Sequence, residues 1–283
     1  MELKQLIRPL CILLFTGCAN GLFYHPDQQI RALPSDRELA FEDVYFDSTD
    51  GTALHGWWLP AQTDPPLGTV IHFHGNAQNL STHVRFSEWL PANGYNLFIF
   101  SYRGYGKSEG VPSRTGIIRD SIAALNVVSE RPETTPDTLF VWGQSLGGTA
   151  ALNALAQSKV PVRAVLIDST FSSHAAIAGE KMRGLPLLLQ PLRLFRPLFI
   201  SRGNDARTAV KELNMPIAFL HGENDRIIPP HHSRTLHTLV PNPGPLWIIP
   251  GAGHCDAVLR YPETVQPLIL TFFEDPEKAF RLP

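Results

Sequence analysis

The pentapeptide Gly143-Gln144-Ser145-Leu146-Gly147 lies between an apolar, β-rich run at 138–142 and a stretch of small and apolar residues that includes Thr149, Ala150, Ala151, Leu152, Ala154 and Leu155. This arrangement predicts a sharp strand-to-helix turn. A serine at such a turn is held in a strained backbone conformation with its hydroxyl pointing away from the sheet, and the glycines two residues to either side keep Cβ atoms out of the crowded bend. Few folds accommodate it. A strand feeding a helix in this way needs a sheet with helices packed on it, and ligands of such sheets collect at the carboxyl ends of the strands.

From residue 41 onward, β-rich apolar segments alternate with helical ones. Strands are expected at 41–47, 54–59, 69–74, 96–101, 138–143, 164–168, 217–222 and 246–249, and amphipathic helices at 80–92, 114–130, 147–157, 231–240 and 256–275. The runs at 70–73, 97–100 and 164–167 are continuously apolar, as central parallel strands covered on both faces require. Asp50-Gly51 supplies a hairpin turn between the first two strands. Ser113 is the expected N-cap of the helix that follows it, and Pro132 stands just past its end. The fold class that results is α/β: a doubly wound, mostly parallel eight-stranded sheet with an N-terminal antiparallel hairpin. With 283 residues, 43% of them hydrophobic and 18% charged, the chain suits one large domain. Its net charge of −2 and lack of any basic run exclude a nucleic-acid footprint. The Pro- and Arg-punctuated segment 171–210 reads as helices packed on the sheet or, alternatively, as a cap whose apolar surface receives an acyl chain.

The first seventeen residues stand apart. Lys4 and Arg8 lead an apolar stretch at 10–15, followed by Thr16, Gly17 and Cys18, which reads as a secretion signal. Phe15-Thr16-Gly17-Cys18 resembles the lipobox of bacterial lipoproteins, in which cleavage leaves the cysteine N-terminal and acylated. The alternative is an uncleaved apolar anchor, although the run is shorter than the roughly 20 residues that cross a hydrocarbon core. The expected organisation is a signal at 1–17, a tether and lead-in at 18–40, and the catalytic domain at 41–283. Cys18 would carry the lipid, and the expected location is the bacterial cell envelope, on the periplasmic face of the outer membrane. The three cysteines, Cys11, Cys18 and Cys255, form neither a disulfide framework nor a zinc-ligand spacing.

A neutral serine hydroxyl needs a base within hydrogen-bond reach, itself oriented by a third group. Of eleven histidines, His254 follows the strand at 246–249 in the turn Pro250-Gly251-Ala252-Gly253, at the sheet edge that carries Ser145. Asp225, in the loop after the strand at 217–222, is positioned to accept from its Nδ1. Asp168, also at a strand end, competes for that role but reads better as a cap of its own turn, and Glu223 is a weaker rival. The order Ser145, Asp225, His254 is that of the α/β-hydrolase fold.

The chain resembles the α/β-hydrolase superfamily from Phe41 to about Phe273. His74-Gly75-Asn76-Ala77 and the segment Tyr102-Arg103-Gly104-Tyr105-Gly106-Lys107-Ser108-Glu109-Gly110 are similar to the membrane-associated branch that includes protein depalmitoylases. The resemblance implies an oxyanion hole made by the backbone amides of Asn76 and Leu146, with Ala77 the alternate for the first. His74 is expected to hold this loop. Three further features carry structural readings. His231-His232 lacks a third ligand at helical spacing, Gly106-Lys107-Ser108 lacks the first glycine of a phosphate-binding loop, and Trp57-Trp58 places one ring in the core and one over the sheet edge. The expected activity is a lipid-anchored serine hydrolase cleaving esters or thioesters of a small or lipid-like acyl substrate, without cofactor or metal. A serine peptidase of the same fold and a non-catalytic envelope lipoprotein are the rivals.

Overall fold

In the computed structural model of the protein, the described residues are 23–183 and 203–279. The expected signal at 1–17, Cys18 and residues 184–202 of the expected cap segment lie outside them. Eight strands, β1 (Glu42–Asp47), β2 (Ala53–Leu59), β3 (Gly68–Phe73), β4 (Tyr95–Ser101), β5 (Leu139–Gln144), β6 (Ala164–Asp168), β7 (Ile217–Gly222) and β8 (Pro243–Ile249), form one sheet in the order β1-β2-β4-β3-β5-β6-β7-β8. β1 and β2 pair antiparallel, as do β2 and β4, and the other pairs are parallel. The hairpin turns through Ser48–Thr52, where Gly51 has φ +81°.

Strands β3 to β7 are buried along their whole length. Their two-residue alternation sorts the core into two layers. Ile71, Phe73, Phe98, Phe100, Val141 and Val165 face helices α1 (Arg114–Ser129) and α2 (Leu146–Ser158). Val70, Leu97, Ile99, Phe140, Trp142 and Leu166 face the opposite layer. That layer's roof is completed after α3 (His174–Arg183) and α4 (His231–His237) by α5 (Pro262–Glu274), through Val265, Ile269, Phe272 and Phe273. Among the described residues no helix is long and apolar enough to cross a membrane.

Three expected helices differ from the observed elements. The segment 80–92 is a single turn at Leu80–His83 followed by 3₁₀ turns at Val84–Phe86 and Pro91–Asn93. Ser87 leaves helical dihedrals (φ −125°, ψ −5°) where its Oγ meets His72 Nδ1 at 2.8 Å, a tertiary contact that hydropathy does not encode. The segment 256–275 breaks at Tyr261 (φ −131°, ψ 52°), because the ring of Pro262 disfavours helical dihedrals in the residue before it. Helix α4 stops at His237, whose Nε2 donates to Gly244 O at 2.9 Å. Trp58 does not cover the sheet edge as expected. Trp57 and Trp58 are both buried, one on each face, and the Arg131 guanidinium lies 3.9 Å above the Trp58 ring and shields it. Ser113 caps α1 as expected, its Oγ accepting from Gly116 N.

The loop after β4 is anchored by Arg103. Its guanidinium donates to Asp120 on α1 at 2.7 Å, to Asp50 in the hairpin turn at 3.0 Å and to Ser48 Oγ at 3.1 Å. The hydrogen bonds from Arg103 hold the Asp50 carboxyl well below the usual carboxylate range. Because the Asp120 side chain is fully buried, Arg103→Met leaves an uncompensated charge and is expected to cost about 3–5 kcal/mol at pH 7. A lowered carboxyl contributes stability that is present above its unfolded value of about 3.9 and lost as the pH falls through the folded value. Urea unfolding of wild type and variant should therefore show the largest gap near neutrality and a narrower one below about pH 4.

Candidate active site

Ser145 joins β5 to α2 at φ 52°, ψ −116°, a left-handed conformation that a side chain rarely adopts. Both of its peptide groups are clamped by the end of β6. Ser145 N donates to Asp168 O at 2.8 Å, and Thr170 Oγ1 donates to Ser145 O at 2.8 Å. Gly147 is required for close approach, since a Cβ there would stand 2.0 Å from Phe73 O.

The loop after β8 brings the imidazole to this turn. A Cβ at Gly222 would lie 2.1 Å from Gly253 O, so glycine lets the loop lie directly on the end of β7. Asn224 N donates to Ala252 O, Gly253 N to Asp256 Oδ1, and Cys255 N to Ser169 Oγ. His254 Nε2 then stands 3.1 Å from Ser145 Oγ, and His254 Nδ1 stands 2.7 Å from Asp225 Oδ2. These separations are within hydrogen-bond range. The Asp225 side chain is wholly buried, whereas His254 is 18% exposed, so the acid is dry and the base borders solvent.

Burial pushes the Asp225 carboxyl up, but hydrogen bonds from His221 and His254, the His254 charge and the Ile228 amide outweigh it and hold the group well below its ordinary value. Oδ1 accepts from the amides of Ile227 and Ile228 at 2.8 and 2.9 Å. His221 Nε2 lies 2.7 Å from Ile228 O and 3.3 Å from Asp225 Oδ2, and its Nδ1 faces Ser233 Oγ at 2.7 Å. A single Nε2–H shared between those two acceptors satisfies the geometry. Sequence reasoning missed His221, although its position at the end of β7, four residues before Asp225, was a usable signal.

The competing acid, Asp168, is fully buried and turned elsewhere. It accepts from Gln144 Nε2 at 3.1 Å and Ser169 Oγ at 2.9 Å, and burial pushes its carboxyl up. Glu223 is exposed, and its backbone amide donates to Ile249 O at 3.0 Å.

The loop after β3 runs beside the nucleophile, close enough that a Cβ at Gly75 would be 3.5 Å from Ser145 Cβ. Ala77 and Gln78 both have left-handed φ (64° and 60°). Leu146 is the first residue of α2, so no helix carbonyl one turn earlier takes its amide proton. The loop at Gly75 and the first residue of α2 therefore both border Ser145. His74 is buried behind them, its Nδ1 2.7 Å from Gly75 O and its ring stacked on His83. Burial holds its pKa well below the ordinary value, which suits a neutral loop support.

Glu180 from α3 reaches His231 Nε2 at 3.1 Å and His232 Nε2 at 3.2 Å, a grouping of metal-ligand type whose carboxylate comes from another helix. The tautomer of His232 argues against an ion. Ser172 N donates into its Nδ1 at 3.1 Å, which leaves the hydrogen on Nε2, facing Glu180. Cys255 is buried, and burial pushes its thiol well above the ordinary range. Lys107 of the phosphate-loop-like tripeptide pairs with Asp43, and Ser108 Oγ donates to Ser101 O.

A mostly parallel eight-stranded sheet, with a serine at the β5–α2 turn, an acid after β7 and a histidine after β8, is the plan of the α/β hydrolases, and the chain belongs to that superfamily. Residues 64–196 match the family described as serine aminopeptidase, S33. YfhR of Escherichia coli O157:H7 is 38% identical over 251 residues, which cover 87% of this chain and 84% of that protein. The α/β hydrolase domain-containing protein WAV2 of Arabidopsis thaliana is 31% identical over 257 residues, covering 87% and 83%. Among solved structures, the esterase Pf2001 of Pyrococcus furiosus superposes with a TM-score of 0.68 at 23% identity, covering 89% of this chain and 97% of its own.

Asp225→Asn keeps the size of the acid but loses the charge that faces His254 Nδ1. Turnover of an activated ester is expected to fall by about 10⁴-fold with little change in KM, by analogy with the corresponding change in serine proteases. Steady-state kinetics on the purified variant would check it.

Proposed function

We propose that this protein is a lipid-anchored serine hydrolase that cleaves carboxylic ester or thioester bonds through an acyl-enzyme on Ser145. The observation that carries this reading is the unbroken chain from Ser145 Oγ through His254 to the buried Asp225. As Oγ attacks the substrate carbonyl, His254 Nε2 takes its proton while His254 Nδ1–H goes on donating to Asp225, whose charge stabilises the imidazolium. The amides of Leu146 and Asn76 hold the oxyanion. Collapse of the tetrahedral intermediate breaks the bond to the alcohol or thiol, which leaves with the proton from His254. Water then attacks the acyl-enzyme, giving up a proton to His254, and collapse of the second tetrahedral intermediate breaks the bond to Ser145 Oγ, which takes that proton back from His254 as the carboxylic acid leaves.

The anchor is Cys18, whose setting resembles a lipobox. Cys18 stands five positions before Phe23, so an extended link between them spans at most about 18 Å. Phe23 O accepts from the Asn76 side chain at the edge of the site. A tether this short keeps the nucleophile near the membrane surface and favours acyl esters or thioesters presented there, as the similarity to the depalmitoylase branch suggests. The serine peptidase reading takes its support from the S33 family description, and an amide substrate arm separates the two.

A fluorophosphonate probe should label the wild type and leave Ser145→Ala unlabelled. In a series of nitrophenyl esters, kcat/KM should rise from acetyl to octanoyl, with aminoacyl anilides turned over far more slowly. A strict preference for acetyl would count against lipid-like substrates, and fast anilide cleavage would favour the peptidase. Cys18→Ser should move the protein from the membrane fraction to the soluble one without lowering activity on a short soluble ester.

A further inference from the structure

The chain before β1 is packed along the loop after β3 and grips it at defined points. The carboxamide of Asn76 sits between two backbone groups of opposite polarity. Its Oδ1 accepts from His25 N at 3.0 Å and from Tyr105 OH at 2.8 Å, while its Nδ2 donates to Phe23 O. The orientation is unambiguous, because the reverse assignment would set an NH₂ against an N–H and a carbonyl against a carbonyl. Asn79, fully buried, repeats the grip three residues on, its Nδ2 donating to Asp27 O at 2.9 Å and Gln29 O at 2.8 Å. Between the two asparagines, Ala77 and Gln78 are in the left-handed region. Tyr24 fixes the lead-in from below, with its side chain buried in the core beside α1 and α2.

We infer that the lead-in segment Phe23–His25 is a positioning element for catalysis: by holding the Asn76 carboxamide at both ends, it aims the Asn76 backbone amide at the oxyanion site beside Ser145. The inference rests on the acyl-transfer reading given above. A loop with two left-handed residues in succession has many alternative backbone arrangements, and a displaced amide no longer meets the oxyanion. Asparagine is the residue required at this position. Aspartate would set an oxygen against Phe23 O, and alanine would leave the Phe23 carbonyl and the His25 amide without their partner. Asn76, Phe23 and His25 touch no reacting atom through these bonds, so their effect on rate passes through the loop.

The test uses the full-length chain and two variants that keep the Asn76 backbone amide: Asn76→Asp, which opposes Phe23 O, and Tyr105→Phe, which removes one bond to Oδ1 and preserves the packing of the ring. Complete loss of an oxyanion donor lowers turnover by about 10²–10³-fold. A loosened donor should therefore lower kcat on a nitrophenyl ester by about 10–100-fold in Asn76→Asp and less in Tyr105→Phe, with KM within about threefold of wild type. Hydrogen exchange of amides 75–79 should be faster in both variants, while that of the β5 and β6 amides stays unchanged. Wild-type kcat in both variants, or unchanged exchange in 75–79, overturns the inference. A fall in kcat accompanied by faster exchange throughout β5 and β6 also overturns it, because the loss would then be general unfolding. If the wild type takes no fluorophosphonate and cleaves no ester, the acyl-transfer reading has failed and this inference goes with it, whereas an active wild type with unaffected variants removes the positioning role alone.

Discussion

The site depends on one strained residue. A non-glycine backbone in a sparsely populated conformation costs on the order of 1–3 kcal/mol and persists only where its surroundings over-determine it. Ser145 is such a residue, and the end of β6 supplies both restraints, through Asp168 O on its amide and Thr170 Oγ1 on its carbonyl. Those restraints are firm because β5 and β6 are themselves buried on both faces. The two hydrophobic layers therefore do more than stabilise the fold. They turn a local backbone strain into a fixed position for one hydroxyl.

Beneath that turn runs a chain of buried polar groups. Buried polar atoms are costly unless hydrogen-bonded, and here each contact also connects two parts of the site. His72 Nε2 lies 3.1 Å from Gln144 Oε1, Gln144 Nε2 donates to Asp168, Ser169 Oγ donates to Asp168 Oδ1, and Cys255 N donates to Ser169 Oγ. The strand that carries the nucleophile is thus tied to the loop that carries His254. Burial lowers the His72 pKa to about 3, so it stays neutral as a donor to Gln144. The raised Asp168 carboxyl shows the opposite response of an acid to the same dry surroundings.

Histidines illustrate how far one-dimensional reading goes. His72, His74, His221 and His254 each occur at or just past a predicted strand, and residue type does not separate them. Placement at the sheet edge after a glycine-rich turn singled out His254. What distinguishes it physically is partial exposure together with contacts to both Ser145 and Asp225, whereas His72 and His74 are fully buried against neutral partners and His221, equally buried, reaches Asp225 but not Ser145. The same limit explains the breaks in the helices expected at 80–92 and 256–275. Hydropathy reports which face is buried, but the exit of Ser87 toward His72 is a tertiary contact, and the break before Pro262 was legible only to a rule about prolines.

By itself the sequence determined the sheet, the hairpin, the turn that holds Ser145 and the order in which an acid and a histidine follow it, because continuous apolar runs, glycines and strand-end positions are local properties of a chain. Only the tertiary structure decided how closely His254 approaches Ser145 and Asp225, that His221 supports the acid, and that the lead-in grips Asn76. The meeting of His254 with Ser145 and the grip of the lead-in on Asn76 depend on distances between residues dozens of positions apart. Such distances follow from the strand order and from which groups burial leaves in need of a partner, and neither is written in any one stretch of the chain.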